Sequence, residues 1–188
     1  MKRTLLLSGG DLDYLARADC RKYLAGQQKF ALARDWEFKC AVFNGKGPEC
    51  SWQKLGQILF WFNAGFNEIL WLDPDVEVRK IDRELGLTHD LIFSADAQGL
   101  CCGAFFIRGE HSASLIATAM LIGRLPARVD SQYGVYKYEQ NTIKHLVLTT
   151  SAWKYESFHH DEIACNDSPK SAVADCTMYH HWITGLNK

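Results

Sequence analysis

Asn67-Glu68-Ile69-Leu70-Trp71-Leu72-Asp73-Pro74-Asp75-Val76-Glu77-Val78 decides how this chain is built. An apolar run of strand length feeds directly into two aspartates spaced i, i+2 around a proline. On an extended backbone residues two apart face the same way, so both carboxylates can reach one divalent cation at the strand's carboxyl end. A pair of this kind suits Mg²⁺ or Mn²⁺, which favour oxygen ligands and commonly share them with substrate phosphates. The same tripeptide also makes a good turn and helix-start signal with no chemistry attached.

Upstream of this run, Ser51 is a plausible N-cap for a helix in which Trp52, Leu55, Leu59, Phe62 and Phe66 recur at spacings of three and four. Phe60 and Trp61 widen the stripe, which predicts burial on more than one side, and Gly65 marks the end. Nearer the amino terminus, Thr4-Leu5-Leu6-Leu7 reads as a strand running into a Ser8-Gly9-Gly10 loop, followed by a helical pattern from about Tyr14 to Gly26. Cys40-Ala41-Val42-Phe43 reads as another strand. Downstream, Asp90–Ser94 and Gly103–Ile107 read as strands and Ser112–Gly123 as a helix; Tyr138–Leu148 begins as a helix and ends in an apolar run that could turn into a strand. This alternation predicts one α/β layer domain spanning 1–188, mostly parallel in its first half. Ligands collect beyond the carboxyl ends of strands in such sheets, which is where Ser8, Gly9 and the Asp-Pro-Asp segment fall. Small residues after the first strand would let a nucleotide approach the backbone closely.

Composition narrows the classes. A chain of 188 residues, 47% hydrophobic and 23% charged, is that of an ordinary globular protein. With a formal net charge of -1 there is no global attraction to nucleic acid or to a membrane surface. Residues 51–100 carry four Lys/Arg against eight Asp/Glu, so an acidic site there needs a cation before it can hold a phosphate. No stretch approaches the ~18–20 apolar residues of a membrane span, and the start is too short for a signal peptide, so a cytoplasmic location is expected. Seven cysteines without a C-x-x-C pair argue for reduced thiols, against a disulfide framework or a zinc site.

The run from Trp52-Gln53-Lys54-Leu55 through Trp71-Leu72-Asp73-Pro74-Asp75-Val76-Glu77-Val78 resembles nucleotide-sugar glycosyltransferases of the GT-A fold, most of all the retaining galactosyl-, mannosyl- and xylosyltransferase group with a D-x-D motif. Three later segments fall in the same order. Leu100-Cys101-Cys102-Gly103-Ala104-Phe105-Phe106-Ile107-Arg108 resembles that group's N-S/A-G-V-F-F-I-R strand on the acceptor side. Tyr138-Glu139-Gln140-Asn141-Thr142-Ile143 resembles its D-Q-x-A-L-N helix start, and Tyr179-His180-His181-Trp182-Ile183-Thr184-Gly185 its terminal H-W/F-x-G segment. Cys101 stands where the group often has Asn, Glu139 where it usually has Asp, and the histidine segment has one residue more before its glycine.

The resemblance implies a single GT-A, Rossmann-like domain with a mixed, mostly parallel sheet flanked by helices. Residues of about 1–100 would form the nucleotide-donor half, and about 101–188 the acceptor half with a C-terminal metal and phosphate segment. It implies transfer of a hexosyl or pentosyl group from a nucleoside-diphosphate sugar to an acceptor hydroxyl, with retention and with Mn²⁺ or Mg²⁺ as cofactor. A uridine diphosphate donor is favoured over a guanosine diphosphate one. The metal ligands would be Asp73, Asp75 and a histidine, with His181, directly before Trp182, favoured over His180. Lys54, on the helix before the D-x-D strand, and Lys188 would serve the donor diphosphate, and Glu139 and Gln140 the sugar centre. Asp96, just past the 91–94 strand, is a further acidic candidate able to bind sugar hydroxyls. The acceptor could be a glycan, a lipid-linked sugar, a protein or a modified DNA base. Two other classes use the same acidic pair: a nucleotide-sugar binding module without turnover, and a phosphohydrolase or nucleotidyltransferase.

Overall fold

The computed structural model describes residues 3–45, 48–96, 99–123, 129–130, 134–135, 139–165 and 168–181. In chain order its elements are β1 (Thr4–Asp11), α1 (Leu12–Leu15), α2 (Ala18–Leu32), β2 (Glu37–Phe43), α3 (Pro48–Asn63), β3 (Glu68–Leu72), β4 (Val76–Val78), β5 (Leu91–Asp96), β6 (Gly99–Arg108), α4 (Gly109–Gly123), β7 (Val129–Asp130), β8 (Gly134–Val135), α5 (Glu139–Thr149), β9 (Glu156–Ser157), β10 (Ile163–Cys165), α6 (Lys170–Asp175) and β11 (Met178–His180).

Six strands form the central sheet in the order β2-β1-β3-β6-β5-β9. β1 runs parallel to β2 and β3, and β5 to β9, whereas β6 is antiparallel to both its neighbours. The architecture is therefore α/β, with a mostly parallel central sheet flanked by helices. All five residues of β3 are buried, which is why 69–72 reads as an apolar run, while Glu68 at the strand's start is buried against Arg108, its Oε1 2.6 Å from Nε. Leu5, Leu7, Ile69 and Trp71 pack on one face with Leu55 and Ile58 of α3, Leu115 of α4 and Ile143 of α5. Leu6, Leu70 and Leu72 pack on the other with Phe30 and Ala31 of α2. A second sheet, β10-β11-β4, lays the C-terminal strand β11 antiparallel to β4, directly after the two aspartates.

Several boundaries differ from those expected. Ser8, Gly9 and Gly10 are strand, not loop: they continue β1 in register with Cys40, Ala41 and Val42. A Cβ on Gly9 would sit 2.8 Å from the Ala41 carbonyl oxygen, so the small residue serves strand-to-strand contact. The first long helix accordingly starts later, at Ala18. α3 begins at Pro48, a residue suited to a first helical turn, which places Ser51 inside the helix and not at its cap. Phe60 is 57% exposed, so α3 buries a narrower face than its sequence suggests. Gly65 does end α3, at φ +91°, with the Phe66 amide donating back to the Trp61 carbonyl at 3.2 Å. α5 stays helical to Thr149 and does not turn into a strand. All seven cysteines are free, and no described helix is long and apolar enough to cross a membrane.

Candidate active site

A cavity of about 430 Å³ opens at the carboxyl ends of β1 and β3, walled by Gly9, Gly10, Tyr14, Lys54, Asp73, Asp75, the Cys101–Gly103 stretch of β6, Glu139, Gln140 and His180. The two aspartates reach it by a route unlike the one their spacing suggests. The backbone leaves β3 at Asp73 and turns, the Val76 amide donating to the Asp73 carbonyl at 3.0 Å, so the carboxylates converge across a turn and not along a strand. Buried Gln27 of α2 clamps that turn from below: its amide nitrogen donates to the carbonyls of Asp73 (2.9 Å) and Val76 (3.0 Å).

His180 completes the cluster. One ligand atom from each of Asp73, Asp75 and His180 lies within 4.8 Å of the others. The expectation that His181 would be the third member is corrected by strand geometry. In β11 Met178 and His180 are buried toward the core side, and His180 pairs with Val76 of β4, whereas the following residue faces the other way. His181 instead stacks on Tyr23 (centroids 4.9 Å apart, 5° between planes), with its Nε2 3.0 Å from Glu77. The alternation of apolar Met178 with His180 was the sequence signal for this choice.

The electrostatics are tightly coupled. Lys54, buried, lies 2.9 Å from Asp73 Oδ1 and 3.0 Å from Glu139 Oε1, and donates to the Cys102 carbonyl at 3.0 Å. Burial alone would lower its pKa, but the two carboxylates outweigh that and hold it raised and charged. Trp71 Nε1 donates to the same Asp73 oxygen at 2.6 Å. Burial and the like charge of Asp75 push the Asp73 carboxyl up against the pull of Lys54. Asp75 moves the other way: burial opposes its charge, but His180 and the Tyr14 hydroxyl stabilise the carboxylate. For His180, burial disfavours the cation while Asp75, 3.4 Å from Nε2, and Cys101 raise its pKa well above the ordinary value. Glu139 is held low: Lys54 and the Ser51 hydroxyl overcome its burial.

The remaining expected residues fall as follows. Gly9 lines the cavity but Ser8 is fully buried inside β1 and does not. Gln140 lines the cavity and uses its side-chain oxygen to accept from the Cys102 amide at 2.9 Å. Asp96 ends β5 and is not among the residues lining this cavity. Lys188 lies outside the described residues, as do Tyr138 and Trp182. Tyr14, which the sequence did not single out, approaches Asp75 because Asp11 caps α1, accepting from the Tyr14 amide at 2.9 Å.

Gly103 is what lets the imidazole in. A Cβ there would lie 2.1 Å from His180 Cε1, so the ring rests on bare backbone. Gly103→Ala is expected to cost about 1–3 kcal/mol of stability through this overlap, as thermal unfolding would measure.

No family model matches the chain, and no curated protein matches it in sequence. Among solved structures it is similar to the crystal structure of a glycosyltransferase involved in the glycosylation of the major capsid of PBCV-1. The TM-score is 0.75 at 15% identity, covering 95% of this chain and 93% of that one. At that identity the likeness is one of fold: almost end to end, this chain shares the architecture of a glycosyltransferase.

Proposed function

We propose that this protein is a divalent-cation-dependent glycosyltransferase that moves a sugar from a nucleoside-diphosphate donor, favouring uridine diphosphate, to an acceptor hydroxyl with retention. The observation that carries the proposal is the convergence of Asp73, Asp75 and His180 on the wall of one cavity. The shared fold supports it.

The residues fit a cation. Asp75 Oδ1 is buried and makes no geometric hydrogen bond, its near neighbour being His180 Nε2 at 3.4 Å, so a cation between the two would give this oxygen the partner it lacks. Two carboxylates with one imidazole suit Mn²⁺, and Mg²⁺ less closely, because nitrogen joins the oxygens. When bound, such an ion would offset charge on the diphosphate as the sugar–oxygen bond breaks. Asp73, Asp75 and His180 would hold it.

The chain's other residues would orient and neutralise. Lys54 and Trp71 both occupy Oδ1 of Asp73, which leaves its second oxygen clear of those bonds. Lys54 is thereby committed to two carboxylates, so it shapes Asp73 and does not bind the diphosphate itself. Glu139 is committed to Lys54 in the same way and is a poor candidate for direct attack on the sugar. Gln140, its oxygen engaged by Cys102, can turn its amide nitrogen to a sugar hydroxyl. Among the described carboxylates of this wall, Asp73, Asp75 and Glu139 have electrostatic partners and Asp11 uses one oxygen to cap α1, so none is placed as an uncommitted base or nucleophile. That favours a same-face route in which the departing diphosphate oxygen takes the acceptor proton, hence retention.

Incubation with Mn²⁺ and a panel of sugar nucleotides tests the proposal. Slow release of nucleoside diphosphate and free sugar is expected, abolished by chelation and restored by added Mn²⁺. Cleavage within the diphosphate would instead mark a phosphohydrolase or nucleotidyltransferase, and binding without any cleavage a nucleotide-sugar module.

A further inference from the structure

We propose that Cys101 is the positioning residue of the His180 imidazole: its sulfur accepts the Nδ1–H, which leaves Nε2 turned toward Asp75 as the cation-binding nitrogen. This inference rests on the reading of Asp73, Asp75 and His180 as a cation site. Cys101 Sγ lies 3.7 Å from His180 Nδ1, and the Gly103 amide donates to the same sulfur at 3.4 Å. On the opposite edge of the ring, Nε2 stands 3.4 Å from Asp75 Oδ1. The two nitrogens therefore have different neighbours, and only one faces the acidic pair.

Cys101 and Gly103 lie where β6 is irregular: its register with β5 shifts between Phe93↔Phe105 and Ser94↔Cys101, and there Cys101 meets the ring's edge while Gly103 offers the bare backbone on which the ring lies. Ser94 of β5, itself buried, donates its hydroxyl to the Cys101 carbonyl at 3.2 Å, fixing the strand at that point. Cys101 and His180 are each 3% exposed, so water does not compete for the contact. To ligate a cation the ring must give up one proton; the neutral imidazole then carries one N–H and one lone pair, and an acceptor beside one nitrogen decides that the other keeps the lone pair. A thiol is a weak acceptor, yet here it is the group that the ring edge meets. Metal-ligating histidines generally donate their second nitrogen to a fixed partner in this way.

Calorimetric titration of the full chain with Mn²⁺ tests the assignment. Cys101→Ala, which removes the acceptor, is expected to weaken Mn²⁺ binding by about 10–100-fold. Cys101→Asn, whose amide oxygen can accept from the same N–H, is expected to recover most of that loss, which a packing role would not predict. Should the alanine variant not fold, Cys101→Val removes the acceptor while filling the space, and the same loss is expected. Wild-type affinity in the folded alanine or valine variant overturns the proposal. So does a thiolate-to-metal absorption band on titrating the wild-type protein with Cd²⁺ that vanishes in Cys101→Ala, since the sulfur would then be a ligand and not a support. A wild-type protein that binds no Mn²⁺ is a separate failure, one that removes the cation site itself.

Discussion

Asp75→Asn is expected to lower donor turnover by about a thousandfold, equivalent to about 4 kcal/mol of transition-state stabilisation, with the fold intact. Asparagine has the shape of aspartate but lacks the charge that a cation needs, and Asp75 is the most buried carboxylate of the cluster, 5% exposed. The same substitution forfeits the stabilisation that His180 and the Tyr14 hydroxyl give the carboxylate, but it relieves a like-charge contact with Asp73 and the burial of a charge, so the cation-free protein should lose no more than about 1–2 kcal/mol. His180 loses a counter-ion but can become neutral. Activity and stability are thus expected to separate, a pattern of sites where function is bought at the expense of local stability. Turnover of sugar nucleotide with Mn²⁺, alongside thermal unfolding in chelator, measures both. Full turnover in the variant would remove Asp75 from the site.

Lys54→Met should behave in the opposite way, damaging the fold first. Lys54 is the single described cation within salt-bridge reach of both Asp73 and Glu139, and Glu139 is only 4% exposed. Removing it strands buried negative charge, a change that costs about 3–5 kcal/mol where one partner of a buried ion pair is lost. For a chain of this size the midpoint of thermal unfolding should fall by roughly 10 °C. Adding Glu139→Gln to Lys54→Met removes one stranded charge and should restore part of the loss, so the two changes are less harmful together than their sum. Strict additivity would show that the pair is not coupled.

The Glu139 carboxyl also sets an acid limit. Its pKa is lower in the folded protein than in the unfolded chain, where the ordinary glutamate value applies, because Lys54 and Ser51 stabilise its charge despite burial. The unfolded state therefore binds the proton more readily. The stabilisation is fully present above the ordinary glutamate range and is lost as pH falls through the folded-state pKa. Glu139→Gln should flatten that part of the stability profile, as followed by denaturant unfolding between neutral pH and pH of about 3.

Local pattern was enough where burial follows an element's own period. The 68–72 strand and the helix expected over Trp52 to Phe66, which the structure ends at Asn63 before the Gly65 turn, could be read because burial on both faces, or on one helical stripe, writes itself into residue order. The α/β alternation followed from the same patterns. Where a small residue could serve either a loop or a tight strand pair, local sequence was ambiguous, and Ser8-Gly9-Gly10 went to the strand because β2 lies alongside.

Sequence by itself determined that two acids would stand at the end of an apolar strand in an α/β chain, since composition, spacing and periodicity are local quantities. Tertiary structure alone decided which partners those acids meet. His180 rather than His181 joins them because β11 pairs with β4 in one register, a contact between residues about a hundred positions apart. Lys54 is tied to Glu139, and Cys101 stands behind the imidazole, for the same reason: side-chain direction in a strand or helix has a period, but only long-range packing sets its phase.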